Sequence, residues 1–91
     1  MMSNIPTDTK KVEKNDINKE ILRVGIIAEM DAVNLYEQLA VMTDDSTIKE
    51  TFLDIAKEEK THVGEFQELL LRNDEQQVEE LKKGKEEVDR R

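Results

Sequence analysis

Cysteine is absent from the chain, which excludes a disulfide framework, a zinc–thiolate site, an iron centre held by thiolates and a thiol nucleophile. No apolar run approaches the roughly 20 residues of a membrane span. The polar N-terminus lacks the apolar region of a signal peptide, so a cytoplasmic location is the default expectation and no membrane partner is expected. Basic residues are in the minority, 14 Lys and Arg against 22 Asp and Glu, for a net charge of -8. That balance argues against a nucleic-acid partner and agrees with attraction of cations, although acidity is also the ordinary route to solubility. There is a single proline, Pro6, and a single histidine, His62. At 91 residues the chain has the size of one small domain.

Hydrophobic periodicity divides the chain in three. Residues 1–15 read as a flexible N-terminal arm, polar, with Pro6 and a lysine patch at Lys10, Lys11 and Lys14. Residues 16–73 read as a helical hairpin. Its first helix spans about Asp16 to Thr43, with Asn15 or Asp16 as cap and Glu20 near the first turn. The connection is Thr43 to Thr47, where Asp44, Asp45 and Ser46 each have capping chemistry. The second helix runs from about Ser46 to Arg72. Residues 74–91 read as a short C-terminal helix and a charged tail: Asn73 or Asp74 caps the helix, Asp74 and Gln77 have capping-box spacing, and Lys85 to Arg91 form the tail. The tail has no closing feature, which is the pattern expected of an excerpt from a longer polypeptide.

The first long helix has two adjoining apolar faces. Ile17, Ile21, Val24, Ala28, Leu35 and Leu39 mark one; Leu22, Gly25, Ile26, Glu29, Ala32, Val33, Tyr36 and Ala40 mark the other. The expectation is that the first face meets the hairpin partner and the second meets another subunit, because nothing else in the chain is long enough to cover it.

The second helix interrupts its own apolar pattern in one place. Ile48, Phe52, Ile55, Ala56, Val63, Phe66, Leu69 and Leu70 form a stripe at the helical period, and Glu59 and His62 lie inside it. A buried carboxylate must be paired, protonated or bound to a cation. Residues three apart share a helical face, so Glu59 and one His62 ring nitrogen can point at a common centre. Glu-x-x-His on an inward face is the metal-ligand pair of two-iron or two-manganese carboxylate bundles, which need two such motifs plus one Glu from each of two other helices. In a Glu-rich chain the bare spacing also arises by chance, with the two residues as satisfied or solvated polar groups.

Register adds weight to the metal reading. In an antiparallel hairpin centred near Asp44, Glu29 and Glu59 are equidistant from the turn, each about 22 Å along its helix at about 1.5 Å per residue. Glu29, which interrupts its own face, should therefore sit level with Glu59, with His62 opposite Ile26 in the same layer. The set amounts to half a site. Two metals in this arrangement take four carboxylates and two histidines, so the remainder must come from a second copy about a two-fold axis, completing a four-helix assembly. A lone hairpin of this length also has too small a core to be comfortably stable.

The span Glu20 to Leu71, above all Ala28-Glu-Met-Asp-Ala-Val-Asn-Leu-Tyr-Glu37 followed by Ala56-Lys-Glu-Glu-Lys-Thr-His62, resembles the encapsulated ferritins, the ferritin-like domains carried by or fused to encapsulin shell proteins; rubrerythrin is a more distant likeness. The resemblance covers both long helices and includes Tyr36 at seven residues past Glu29. It implies a ferroxidase that converts Fe(II) to Fe(III) at a di-iron centre shared between two subunits, for iron storage in an encapsulin shell. Glu29, Glu59 and His62 of each subunit become the iron ligands and Tyr36 a neighbour of the centre. The resemblance further implies dimers assembled into an open ring, typically a homodecamer, inside an encapsulin nanocompartment. Family members carry acids one position before and two after the lone Glu; here those positions are Ala28 and Asp31, which keeps Asp31 as an accessory metal-attracting residue. The apolar, glycine-containing targeting tag of free cargo is not visible in Glu86 to Arg91, leaving a fusion excerpt or a chain without a shell.

The residue types suit the chemistry. Carboxylates bridge two irons and change their mode of coordination as charge rises, and imidazole adds a neutral donor. Tyr36 is the candidate for holding a ligand in place, against a simpler role as a space-filling aromatic. Glu58 is turned about 100° away from Glu59, and Glu37 and Glu65 read as solvated. Two other functions stay open: a rubrerythrin-like peroxidase drawing on an external electron donor, and a structural or adaptor bundle without catalysis. Iron, manganese and zinc are not distinguished by the sequence.

Overall fold

The computed structural model describes residues 16–91, so the expected arm at 1–15 and the alternative cap Asn15 lie outside the described residues. The fold is all-α: α1 (Ile17–Val41), α2 (Ser46–Asn73) and α3 (Glu75–Asp89). α1 and α2 pack along their length as an antiparallel hairpin, and α3 touches it at few points.

Local chemistry accounts for the boundaries. Asp16 stands at the N-cap of α1 without accepting a capping bond; its carboxylate instead pairs with Lys19 at 3.3 Å. The turn is held from within. The Met42 amide donates to the Leu39 carbonyl at 3.1 Å, and the Asp45 amide donates to Thr43 Oγ1 at 3.1 Å. Of the three capping candidates, Asp45 takes the part, its Oδ1 accepting from the Ile48 amide at 3.0 Å, which satisfies one of the free donors that open any helix. At the far end Asn73 Nδ2 donates to the Leu69 carbonyl at 2.8 Å and Asp74 Oδ1 accepts from the Gln77 amide at 3.0 Å, so one residue ends α2 and starts α3.

Two expectations are corrected. The hairpin uses the faces of α1 in the reverse sense. Val33 and Ala40, from the second face, are buried, and Tyr36 from that face stacks on Phe52. Ile21 and Leu35, from the first face, are 61% and 46% exposed. The physical reason lies in size: Gly25, Ala32 and Ala40 recur among the larger residues of the second face and let the backbones approach, whereas Ala28 is the one small residue of the first. The second correction concerns the tail. α3 continues through Gly84 to Asp89, supported by Lys83–Glu80 at 3.3 Å and Lys85–Asp89 at 2.7 Å, pairs at the three- and four-residue spacings that stabilise an exposed helix.

The buried apolar residues of the described chain are Val33, Ala40, Ala56 and Leu70, a thin core. Met30, Val41 and Met42 stand exposed with Ile21 and Leu35, distributed around α1. No helix among the described residues is long and apolar enough to cross a membrane.

Candidate metal centre

The apolar register of the hairpin forces three polar side chains together. α1 presents Glu29 on the face that packs against α2. α2 presents Glu59 and His62 one turn apart on the opposing face. His62 Nδ1 lies 3.3 Å from Glu29 Oε2 and 3.5 Å from Glu59 Oε2, and one ligand atom from each of the three residues falls within 4.8 Å of the other two. The two carboxylate side chains are about four-fifths buried and the imidazole about half, so the cluster sits at the edge of the hairpin and opens to its surface.

The donor set fits a metal ion on its own terms. Metal–nitrogen and metal–oxygen bonds of about 2.0–2.2 Å place neighbouring ligands about 3 Å apart, close to the 3.3 and 3.5 Å observed. The ring nitrogen carries at most one hydrogen, too few to satisfy two carboxylates. Two carboxylates held this near one another repel, and a divalent cation removes that repulsion. Three oxygen and nitrogen donors without thiolate suit iron, manganese or zinc.

The remaining sequence candidates fall elsewhere. Tyr36 is half-buried and stacks on Phe52 with ring centroids 6.0 Å apart and planes at 29°, seven residues or about 10 Å along α1 from Glu29. Asp31 is half-buried and stands outside the three-residue cluster. Glu58 and Glu65 are exposed. Glu37, expected to be solvated, pairs across the hairpin with Lys60 at 3.3 Å.

Sequence reasoning missed one interaction at the far end of the hairpin. Arg23, two turns before Glu29, donates to Asp74 Oδ2 at 2.9 Å, tying α1 to the start of α3. The amide of Gln77 and the Arg23 guanidinium hold the Asp74 carboxyl below its ordinary value of 3.8, against the opposing effect of burial. The partners are 51 residues apart, so no local pattern announces the pair; the signal available was the acid in the cap position, which leaves one carboxylate oxygen unused.

With the geometry established, comparison with known proteins places the chain. The two-helix Glu/Glu-x-x-His layout is that of ferritin-like proteins. The chain belongs to the rubrerythrin family, whose profile matches residues 20–91. A ferritin-like-encapsulin shell fusion protein from Pyrococcus furiosus is 59% identical over 69 residues, covering 76% of this chain and 20% of that protein. The chain therefore spans about a fifth of that relative's length. The crystal structure of the encapsulated ferritin domain from Pyrococcus furiosus superposes with a TM-score of 0.84 at 49% identity, over 99% of this chain and 94% of that one. The likeness to encapsulated ferritins read from the two helices is thus shown in sequence and in structure.

Proposed function

We propose that the chain is a ferroxidase subunit that supplies half of a di-iron centre, with Fe(II) as its substrate. The observation that carries the reading is the convergence of Glu29, Glu59 and His62 within 4.8 Å, three donors from one chain where two irons in a ferritin-like site take six. A second copy about a two-fold axis repeats the set and builds the four-helix bundle. Met30, exposed and next to Glu29, and the half-exposed His62 ring are surface that such a copy would cover. The relatives' names support an association with an encapsulin shell; the ring of dimers, a homodecamer in a cytoplasmic nanocompartment, is our extension from the resemblance to encapsulated ferritins.

In this reading Glu29 and Glu59 bind Fe(II) and neutralise its charge, each changing between one and two coordinating oxygens as that charge rises. His62 supplies a neutral donor. Each Fe(II) yields one electron to become Fe(III), so a pair of ions meets the two-electron demand of dioxygen, which takes up two protons to leave as hydrogen peroxide, or of hydrogen peroxide, which takes up two protons to leave as two waters. Asp31 draws cations towards the centre, and Tyr36 steadies its ligands once both subunits are in place. The rubrerythrin profile match favours one second reading, a peroxidase; with no cysteine in the sequence, its electrons would come from a separate donor.

Stopped-flow absorbance with Fe(II) and dioxygen tests the assignment. Glu59→Ala and His62→Ala should stay helical by circular dichroism, since each removes a polar group from an apolar stripe that remains intact, and should lose iron oxidation. Tyr36→Phe should slow oxidation without preventing binding. Near-wild-type oxidation by folded Glu59→Ala protein would overturn the site, and peroxide turnover confined to an added electron donor would favour the peroxidase.

A further inference from the structure

We propose that Gly25 is a positioning residue for the metal centre: it brings α1 down onto the Phe66 ring one turn from Glu29 and His62, and so sets the helix separation at which the ligand atoms converge. The inference rests on reading Glu29, Glu59 and His62 as metal ligands.

Gly25 has no backbone reason to be glycine. It lies inside α1, its φ is not positive, and glycine is the costliest choice after proline for a helix interior. Its use is closeness. A Cβ at Gly25 would stand 3.3 Å from both Cδ2 and Cε2 of Phe66 and 3.5 Å from Cγ; the first two are shorter than the about 3.5–4.0 Å of comfortable carbon–carbon contact. Gly64 and Gly84 are also helical, yet a Cβ at either would meet nothing within 4 Å.

The position of this contact gives it a functional meaning. Gly25 precedes Glu29 by four residues on α1, and Phe66 follows His62 by four on α2. Glycine on ring and carboxylate on imidazole are therefore consecutive rungs of one ladder, about 6 Å apart. On the other flank stand Val33, four residues past Glu29, and Ala56, three before Glu59, both buried. The cross-helix distance from Glu29 to His62, 3.3 Å, depends on how closely α1 and α2 approach, whereas the 3.5 Å from Glu59 to His62 is internal to α2. A wedge at Gly25 would lengthen the first and leave the second.

A site defect without a folding defect is the signature, because alanine is a better helix former than glycine. Full-length wild-type, Gly25→Ala and Gly25→Ala/Phe66→Leu proteins are compared by anaerobic Fe(II) calorimetry, by thermal melting of the metal-free protein, and by crystal structures of the metal-free proteins. Gly25→Ala should bind Fe(II) about 10-fold or more weakly, the scale of losses on disturbing the supports of metal ligands, while melting no lower than wild type. Adding Phe66→Leu should restore most of the affinity. Unchanged Fe(II) affinity in Gly25→Ala would overturn the proposal, as would a loss that tracks stability and is not recovered by Phe66→Leu. Failure of wild-type protein to bind Fe(II) would overturn the ligand reading instead; the Glu29–His62 distance in the Gly25→Ala crystal would then decide the positioning role, an unchanged spacing refuting it.

Discussion

The hairpin and α3 are both helical, for different reasons. α1 and α2 are held by what they bury against each other: Ala40 and Ala56 are almost inaccessible, and the glycine–ring and carboxylate–imidazole contacts lie between them. α3 has no buried residue. It is helical through its own Asp74 cap and neighbouring charge pairs, and among the described residues one ion pair, from Arg23 to Asp74, fastens its start to α1. The Glu29, Glu59 and His62 cluster sits on the element whose geometry is fixed by packing, and the locally stabilised helix stands apart from it.

That contrast can be broken from the hairpin side first. Ala56→Leu forces three extra carbons into a position 2% exposed, and overpacking of this kind costs about 1–3 kcal/mol. The metal-free protein should melt lower by about 4–8 °C per kcal/mol, measured at one fixed concentration because self-association would shift the midpoint. An unchanged midpoint would mean that the hairpin is not limited by packing.

The next test addresses the joint. Asp74→Ala removes both the cap and the partner of Arg23, and Asp74→Asn keeps capping ability but loses the charge. α3 should loosen more in the alanine variant than in the asparagine variant, read from amide hydrogen exchange in Glu75–Asp89, with the hairpin amides unchanged. The pH dependence follows from the depressed carboxyl. The folded value lies below the ordinary 3.8, so the contribution is fully present above about pH 4 and is lost as pH falls through the folded value. Protection of the wild-type α3 amides relative to those of α2 should therefore fall in acid, and the Asp74→Asn variant should show a smaller fall.

The smallest effect sharpens the comparison. Gly84→Ala places a methyl group in open space on a helix that depends on local propensity, so it should stabilise α3 by about 0.5–1 kcal/mol. Circular dichroism should show added helicity with Fe(II) oxidation unaltered. The same substitution would then leave the candidate metal centre untouched at Gly84 and weaken it at Gly25.

Much of the hairpin and the three clustered side chains were legible in the sequence, because period and register are local quantities that add along a helix. Glu29 and Glu59 interrupt their own apolar faces at equal distances from Asp44, and the tight turn transmits that equality into space. Tyr36 meets Phe52 on the same rule. The face of α1 that meets α2 is hard to read from periodicity because both faces are largely apolar; the available signals were a glycine and two alanines on one side and the register that sets Glu29, on that same side, level with Glu59. The extent of α3 was misread because Gly84 is a strong local stop sign, outweighed by charge pairs whose small contributions add. The Arg23–Asp74 bond could not be read as a pair, since the cap position of Asp74 signals a spare carboxylate oxygen but nothing encodes a partner 51 positions away.

The connection between Val41 and Ser46 has a consequence for how such a centre can change over time. Its four residues are committed to the Met42, Thr43 and Asp45 hydrogen bonds, which leaves little slack to absorb an inserted residue. One residue added within either helix between the turn and the ligands moves a side chain by about 1.5 Å and rotates it by about 100°, enough to turn Glu29 away from His62. Substitution along the exposed faces leaves that relation intact, but a change of length does not. The number of residues from Glu29 to Glu59 is thus as much a part of the centre as the carboxylates themselves.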